Sequence, residues 1–153
     1  MAKDLTARER AVLILLVEDE PADAHLVRLA LRENRVPAEV AHVVDGREAL
    51  AYLRREGPSF VGTERPDLIL LDLNMPRMDG FEFLAAVKRD PGLRGIPVVV
   101  LSTSEAERDV RSAYRLGAAG YVAKSSSVND LIVAFGRLSR YWLTLARLPA
   151  RGK

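Results

Sequence analysis

Carboxylate, hydroxyl and ammonium side chains stand directly after four short apolar runs of the sequence. Glu18 and Asp19 follow the run at 12–17, and Asp72 follows the run at 68–71. Ser102 and Thr103 follow the run at 97–101, and Lys124 follows the run at 119–123. Three carboxylates brought close together repel one another unless a cation lies among them. An all-oxygen set without cysteine suits Mg²⁺, which binds carboxylates, waters and phosphate oxygens. The residue types therefore predict Mg²⁺-dependent phosphoryl chemistry, provided that the chain brings these positions together.

The apolar runs are predicted strands of a single parallel sheet. Five short runs are rich in branched residues, at 12–17, 38–43, 68–71, 97–101 and 119–123. Segments with helical apolar spacing separate them and start near residues 21, 46, 80, 105 and 128. This alternation predicts an α/β fold, a doubly wound five-stranded parallel sheet with helices on both faces. Because parallel strands end at the same edge, the polar side chains are expected to meet in one crevice.

Composition restricts the class of protein. The chain has 153 residues, enough for one domain, with 48% hydrophobic and 29% charged residues, typical of a globular protein. It has no cysteine, and its net charge of +2 gives no reason to expect a nucleic-acid or membrane surface. No apolar stretch approaches the ~20 residues of a membrane span, and the first run lacks a signal-peptide cleavage site. A cytoplasmic protein without nucleic-acid or membrane partners is therefore expected.

The chemistry predicted at the crevice centres on Asp72. A carboxylate can attack phosphorus and hold the phosphoryl group as an acyl phosphate. Mg²⁺ held by Glu18, Asp19 and Asp72 would position the donor and stabilise charge on the phosphoryl oxygens. A backbone carbonyl just after the nucleophile, most simply that of Asn74, could add a metal ligand. Lys124 is expected to contact a further phosphoryl oxygen as a point charge.

Ser102 is the predicted switch residue. Its hydroxyl can bond a phosphoryl oxygen only when phosphate is present, so phosphorylation would pull its loop toward the site. Tyr121, three residues before Lys124, could swing inward to fill the space that is vacated. An ordinary strand tyrosine with its hydroxyl at the surface explains Tyr121 about equally well.

Together these stretches resemble the receiver domain of two-component response regulators. The resemblance is carried by ILLVEDEPAD, LILLDLNMPRMDGFEFL, PVVVLSTSE and GAAGYVAKS, which with their spacing cover about residues 12–140. It implies a CheY-like fold and phosphorylation by a phosphohistidine of a partner histidine kinase. The implied roles are phosphoacceptor for Asp72, Mg²⁺ binding for Glu18, Asp19 and the Asn74 carbonyl, phosphate contact for Lys124, switch hydroxyl for Ser102, and gate aromatic for Tyr121.

More narrowly, the chain is similar to the single-domain receivers paired with bacterial phytochrome histidine kinases. The features behind this are the loop at 54–66 and the ending RLSRYWLTLARLP. Two positions depart from the general receiver pattern. Ser125 replaces the usual cis proline after the lysine, where a cis bond would cost roughly 3 kcal/mol. Thr103 replaces a small residue, and it could narrow phosphate access or share the switch role with Ser102.

The output of the protein is predicted to be a surface. Residues 1–10 are an expected flexible lead-in and 11–148 the receiver domain, which leaves no room for an output domain. The last helix, about 128–147, carries apolar residues at heptad spacing. Its projecting end is the predicted interface of a homodimer, formed by Tyr141, Trp142, Leu145 and Leu148. Folding of this segment back on its own domain is the alternative.

Two other classes of function are alternatives. A haloacid-dehalogenase-type phosphatase needs a general acid two positions after the nucleophile, and here that position is Asn74. The chain is therefore expected not to be an enzyme. A receiver-like module that binds partners without phosphorylation is the other alternative, disfavoured because every reactive group is present. His25 and His42 are expected to lie away from the crevice, and neither receives a metal or phosphoryl role.

Overall fold

The computed structural model describes residues 12–75, 78–124 and 127–140. Its five strands form one parallel sheet in the order β2-β1-β3-β4-β5. The strands are β1 (Val12–Val17), β2 (Ala38–Val43), β3 (Leu68–Leu71), β4 (Val98–Ser102) and β5 (Gly120–Ala123). The helices between them are α1 (Pro21–Glu33), α2 (Gly46–Arg54), α3 (Gly80–Arg89), α4 (Glu107–Arg115) and α5 (Val128–Ser139). The predicted α/β class and parallel sheet are confirmed.

The sheet separates two hydrophobic cores. Alternate side chains of each central strand point to opposite faces, so Leu15 and Ile14 enter different cores. One core includes residues of α2, α3 and α4, and the other includes residues of α1 and α5. All four residues of β3 are buried, as expected for a strand covered on both faces. This burial fixes the strand that carries Asp72 at its end.

Some element boundaries differ from the predicted ones. β4 extends to Ser102, one residue further than predicted, because Ser102 still pairs with Ala123 and its carbonyl accepts from the backbone N–H of Lys124. α4 begins at Glu107 rather than near residue 105. The Ser104 hydroxyl oxygen accepts from the Ala106 N–H and keeps that segment in a turn.

The predicted last helix reaches beyond the described residues. α5 runs from Val128 to Ser139, and its cap is Arg140. The predicted continuation to about residue 147 and the predicted lead-in at 1–10 lie outside the described residues. Among the described helices, none combines the length and the apolar character that a membrane crossing requires.

Candidate functional site

The ends of β1 and β3 bring three carboxylates together. Val17 is paired with Leu71 in the parallel register, so the residues that follow these two strands are neighbours. Glu18, Asp19 and Asp72 each offer an oxygen, and these oxygens lie within 4.8 Å of one another. Glu18 is only 1% exposed and Asp72 6%, whereas Asp19 is open to solvent. The group can hold a divalent cation, because hard oxygen ligands of this kind suit such ions.

Lys124 reaches the same group from the end of β5. Its backbone N–H donates to the Ser102 carbonyl at 2.7 Å, which fixes the chain beside β4. The ammonium nitrogen lies 2.7 Å from Glu18 Oε1, 2.9 Å from Asp23 Oδ2 and 3.7 Å from Asp72 Oδ1. With a side chain only 10% exposed, Lys124 offsets much of the negative charge of the buried acids.

The electrostatics of the site reflect burial first. Burial, together with the nearby Asp72 charge, raises the pKa of Glu18 from 4.5 to about 7, although Lys124 acts in the opposite direction. Burial also raises the pKa of Asp72, again against the attraction of Lys124. Burial alone would lower the pKa of Lys124, but its hydrogen bonds to Glu18 and Asp23 outweigh this and leave the pKa raised. A metal cation, in addition to the Lys124 ammonium, would therefore be strongly favoured among these carboxylates.

Gly80 allows the loop after β3 to pass close to the site. A Cβ at Gly80 would lie 2.5 Å from Leu73 Cα and 2.6 Å from the Asp72 carbonyl oxygen. The Gly80 N–H donates to the Leu73 carbonyl at 2.9 Å, and Asp79 caps α3 reciprocally with Glu82. Only glycine fits at this helix start, so the sequence places α3 directly beside the phosphoacceptor candidate.

The loop after β4 is held by three hydroxyl groups. Ser102 is completely buried, and its Oγ accepts from the Ser104 N–H at 3.1 Å. The Tyr121 hydroxyl donates to the Ser104 carbonyl at 2.9 Å. Ser104 Oγ in turn donates to an Asp109 carboxylate oxygen on α4. Thr103 is exposed to solvent at the same strand end. Ser102 and Tyr121, both predicted switch residues, thus contact one residue of the same loop.

An open groove lies beside the carboxylates. Its lining combines two acidic side chains with an amide and three apolar residues: Asp19, Leu73, Asn74, Met75, Asp79 and Phe81. The Asn74 N–H lies 3.4 Å from Asp72 Oδ1. The groove leaves the exposed carboxylate, Asp19, accessible to a metal ion and to a phosphodonor.

Sequence reasoning missed two residues of the site. Asp23, in the first turn of α1, forms the ion pair with Lys124 described above. The expectation that His42 lies away from the crevice is wrong, because its Nε2 is 2.7 Å from the Glu18 backbone carbonyl and must donate to it. The register pairs His42 with Leu16, two residues before Glu18. No local pattern in the sequence encodes this register, so the contact could not be predicted. His25 is exposed on α1.

Several predicted features lie outside the described residues. They are the interface residues Tyr141, Trp142, Leu145 and Leu148, and the peptide bond between Lys124 and Ser125. Their predicted roles and geometry stay predictions.

Comparison with known proteins agrees with the fold and the acidic site. The family model of the response regulator receiver domain matches residues 14–135. The chain belongs to the response regulator receiver domain family, whose members are signalling proteins of two-component systems. Response regulator Rcp1 of Synechocystis sp. is 43% identical over 138 residues, which make up 90% of this chain and 93% of Rcp1.

Two solved structures are similar over nearly the whole chain. The phosphorylated cyanobacterial phytochrome response regulator RcpA has a TM-score of 0.86 and 48% identity, covering 92% of this chain and 99% of RcpA. The Mn²⁺-bound form of Rcp1 has a TM-score of 0.84 and 42% identity, covering 91% of this chain and 99% of Rcp1. At these identities the likeness extends beyond the fold to the family of response regulators.

Proposed function

We propose that this receiver domain accepts a phosphoryl group on Asp72 from a phosphohistidine of a histidine kinase, in a Mg²⁺-dependent reaction. The observation that carries the proposal is the convergence of Glu18, Asp19 and Asp72, with oxygens within 4.8 Å, around a strand end that Lys124 also reaches. Glu18, Asp19, Asp72 and the Asn74 backbone carbonyl are the proposed ligands. When bound, Mg²⁺ supplies positive charge for the phosphoryl oxygens and orients the donor.

The proposed transfer is a displacement at phosphorus. A carboxylate oxygen of Asp72 forms the new O–P bond while the P–N bond of the phosphohistidine breaks. The electron pair of that bond stays on the imidazole nitrogen of the kinase. Asp72 reacts as a carboxylate. Burial raises its pKa, and the neighbouring Lys124 ammonium acts against that rise and favours the ionised form.

Four further side chains have proposed roles around the product. Lys124 contacts one phosphoryl oxygen, and the Ser102 hydroxyl exchanges its bond with the Ser104 N–H for a bond to another. Because Tyr121 donates to the Ser104 carbonyl, the same loop movement would reach it. Thr103, exposed beside Ser102, is proposed to assist that hydroxyl in binding phosphate.

The proposed donor is the histidine kinase of a bacterial phytochrome. RcpA is described as a cyanobacterial phytochrome response regulator, and other structures similar to this chain are described as bacteriophytochrome response regulators. These likenesses support a partner of the same class, acting in the cytoplasm.

Intact-mass spectrometry tests the proposed chemistry. The protein is incubated with acetyl phosphate, with and without Mg²⁺, beside the Asp72→Asn variant. We expect the wild type to gain one phosphate mass only with the metal and the variant to gain none, without sustained turnover of p-nitrophenyl phosphate. A wild type that gains no mass under these conditions contradicts the proposal and favours a phosphorylation-independent interaction module.

We further propose a homodimer through Tyr141, Trp142, Leu145 and Leu148, which lie outside the described residues. The heptad spacing of apolar residues in this part of the sequence supports it. Sedimentation of the wild type beside Trp142→Ala is the measurement. We expect a dimer that the substitution weakens, and two monomers or an unchanged dimer would contradict the assignment.

A further inference from the structure

Asp23 gives Lys124 an acceptor outside the proposed metal site. The ammonium nitrogen of Lys124 is 2.9 Å from Asp23 Oδ2 but 3.7 Å from the nearest oxygen of Asp72. Asp23 does not belong to the three-carboxylate group formed by the described residues. Its only described ion pair is the one with Lys124. The contact therefore bears on the position of the lysine rather than on the metal.

We propose that Asp23 is a positioning residue that holds Lys124 away from the phosphoryl acceptor, so that phosphorylation must transfer the lysine from Asp23 to a phosphoryl oxygen. The inference rests on the proposed function, because it assigns a competitor for a group that the phosphorylated site needs. The ammonium has three N–H donors, and the two shortest contacts go to Glu18 and Asp23. Because the ammonium nitrogen lies 3.7 Å from Asp72 Oδ1 while it makes these two contacts, a phosphoryl oxygen on Asp72 competes with the two carboxylates for the position of the ammonium.

The contact with Asp23 is the easier of the two to release. Glu18 is buried, whereas the Asp23 side chain is 36% exposed and can regain water when the lysine leaves. Asp23 also stands in the first turn of α1, where the helix dipole favours a negative charge without help from a cation. Water and the helix dipole thus stabilise the Asp23 carboxylate after Lys124 leaves, which makes Asp23 a reversible partner of the lysine rather than a structural one.

The kinetics of phosphorylation test the inference. The wild type, Asp23→Asn, Asp23→Glu and Glu33→Gln are incubated with acetyl phosphate and Mg²⁺, and phosphate uptake is followed by mass. Glu33→Gln is the matched control, because it removes a negative charge from an exposed position of the same helix. We expect Asp23→Asn to take up phosphate about twofold to fivefold faster, the factor expected for a partly exposed ion pair. Asp23→Glu and Glu33→Gln should match the wild type.

A background lacking the lysine separates positioning from a general charge effect. Asp23→Asn should not accelerate uptake in a Lys124→Ala background, and its advantage in the wild-type background should shrink as salt is raised. An unchanged or lower rate for Asp23→Asn, or an equal acceleration without Lys124, would overturn the inference while leaving the proposed function intact. A wild type that takes up no phosphate would remove both.

Discussion

At the scale of single residues, the buried carboxylate of Glu18 determines the electrostatics of the site. An ionised acid that is 1% exposed must be offset by a cation or take up a proton. Lys124 supplies the cation at 2.7 Å, yet burial still raises the pKa of Glu18 to about 7. A proton and a metal ion therefore compete for the Glu18 carboxylate near neutral pH.

Metal binding is expected to depend on pH through Glu18. Because the metal needs the carboxylate, its apparent affinity should fall by up to about tenfold per pH unit below pH 7. Between pH 4.5 and about 7 the folded state holds a proton that the unfolded chain has released, so rising pH lowers the stability of the metal-free protein. Calorimetric titration with Mg²⁺ across this range checks the affinity, and a flat profile would contradict the assignment of Glu18.

Lys124 is expected to stabilise the metal-free protein. In Lys124→Met two buried carboxylates lose their cation, which should cost about 2–3 kcal/mol of unfolding free energy in urea. Added Mg²⁺ should recover much of that loss by binding the same carboxylates.

Lys88→Met is the matched control for this experiment. Lys88 donates to the Arg94 and Ile96 carbonyls and lies against Gly117, apart from the carboxylates. Its loss should destabilise the protein whether or not metal is present. If Mg²⁺ recovers no more stability in Lys124→Met than in Lys88→Met, the proposed site is contradicted.

At the scale of elements, the start of α3 ties the helix to the end of β3. The Gly80 position leaves no space for a Cβ, since backbone atoms of Leu73 and Asp72 would lie within 2.6 Å of it. The same loop reaches α2, where the Gly46 N–H donates to the Met78 carbonyl at 3.2 Å. Displacing the loop would therefore move the backbone of the phosphoacceptor candidate.

Gly80→Ala is expected to impair both stability and phosphate uptake. Overpacking against backbone atoms should cost about 1–3 kcal/mol, measured by urea unfolding, and uptake from acetyl phosphate should slow. Gly62→Ala is the control, because nothing lies within 4 Å of its added Cβ. Equal stability and equal uptake for the two variants would show that the close approach at Gly80 does not position the site.

The sequence predicted the elements better than it predicted the contacts between them. Continuous apolar runs fixed the strands, and the rule for parallel strand ends brought Glu18, Asp19, Asp72 and Lys124 to one crevice. The strand boundaries were predicted less well. For example, β4 continues to Ser102 because its pairing with β5 extends past the apolar residues. The Asp23 contact depends on how α1 lies against the strand ends, and that of His42 on the register of β2. Neither is encoded in local pattern.

At the scale of the whole molecule, an asparagine joins the two helices that cover one face of the sheet. Asn34 Nδ2 donates to the Ile132 carbonyl of α5 and to the Ala30 carbonyl of α1, at 2.8 Å each. Asn34 Oδ1 would lie only 2.7 Å from a Cβ at Gly136, so the glycine permits the close approach. Residues of both helices belong to one core.

Asn34→Ala is expected to lower stability without affecting the site. Losing both hydrogen bonds should cost about 1–2 kcal/mol of unfolding free energy. Phosphate uptake should stay at the wild-type rate, because Asn34 caps the end of α1 opposite to Asp23. Asn129→Ala, at an exposed position of α5, should change stability by less than about 0.5 kcal/mol. Equal losses in the two variants would contradict the role given to Asn34.

The central claim concerns which side chain becomes phosphorylated, and trapping the acyl phosphate tests it most directly. After incubation with acetyl phosphate and Mg²⁺, borohydride reduction converts a phosphorylated aspartate to homoserine, which peptide mass spectrometry locates. We expect homoserine at Asp72 alone, and none when Mg²⁺ is omitted. Modification at another residue, or a stable phosphate on a serine, threonine or histidine with Asp72 untouched, would contradict the account.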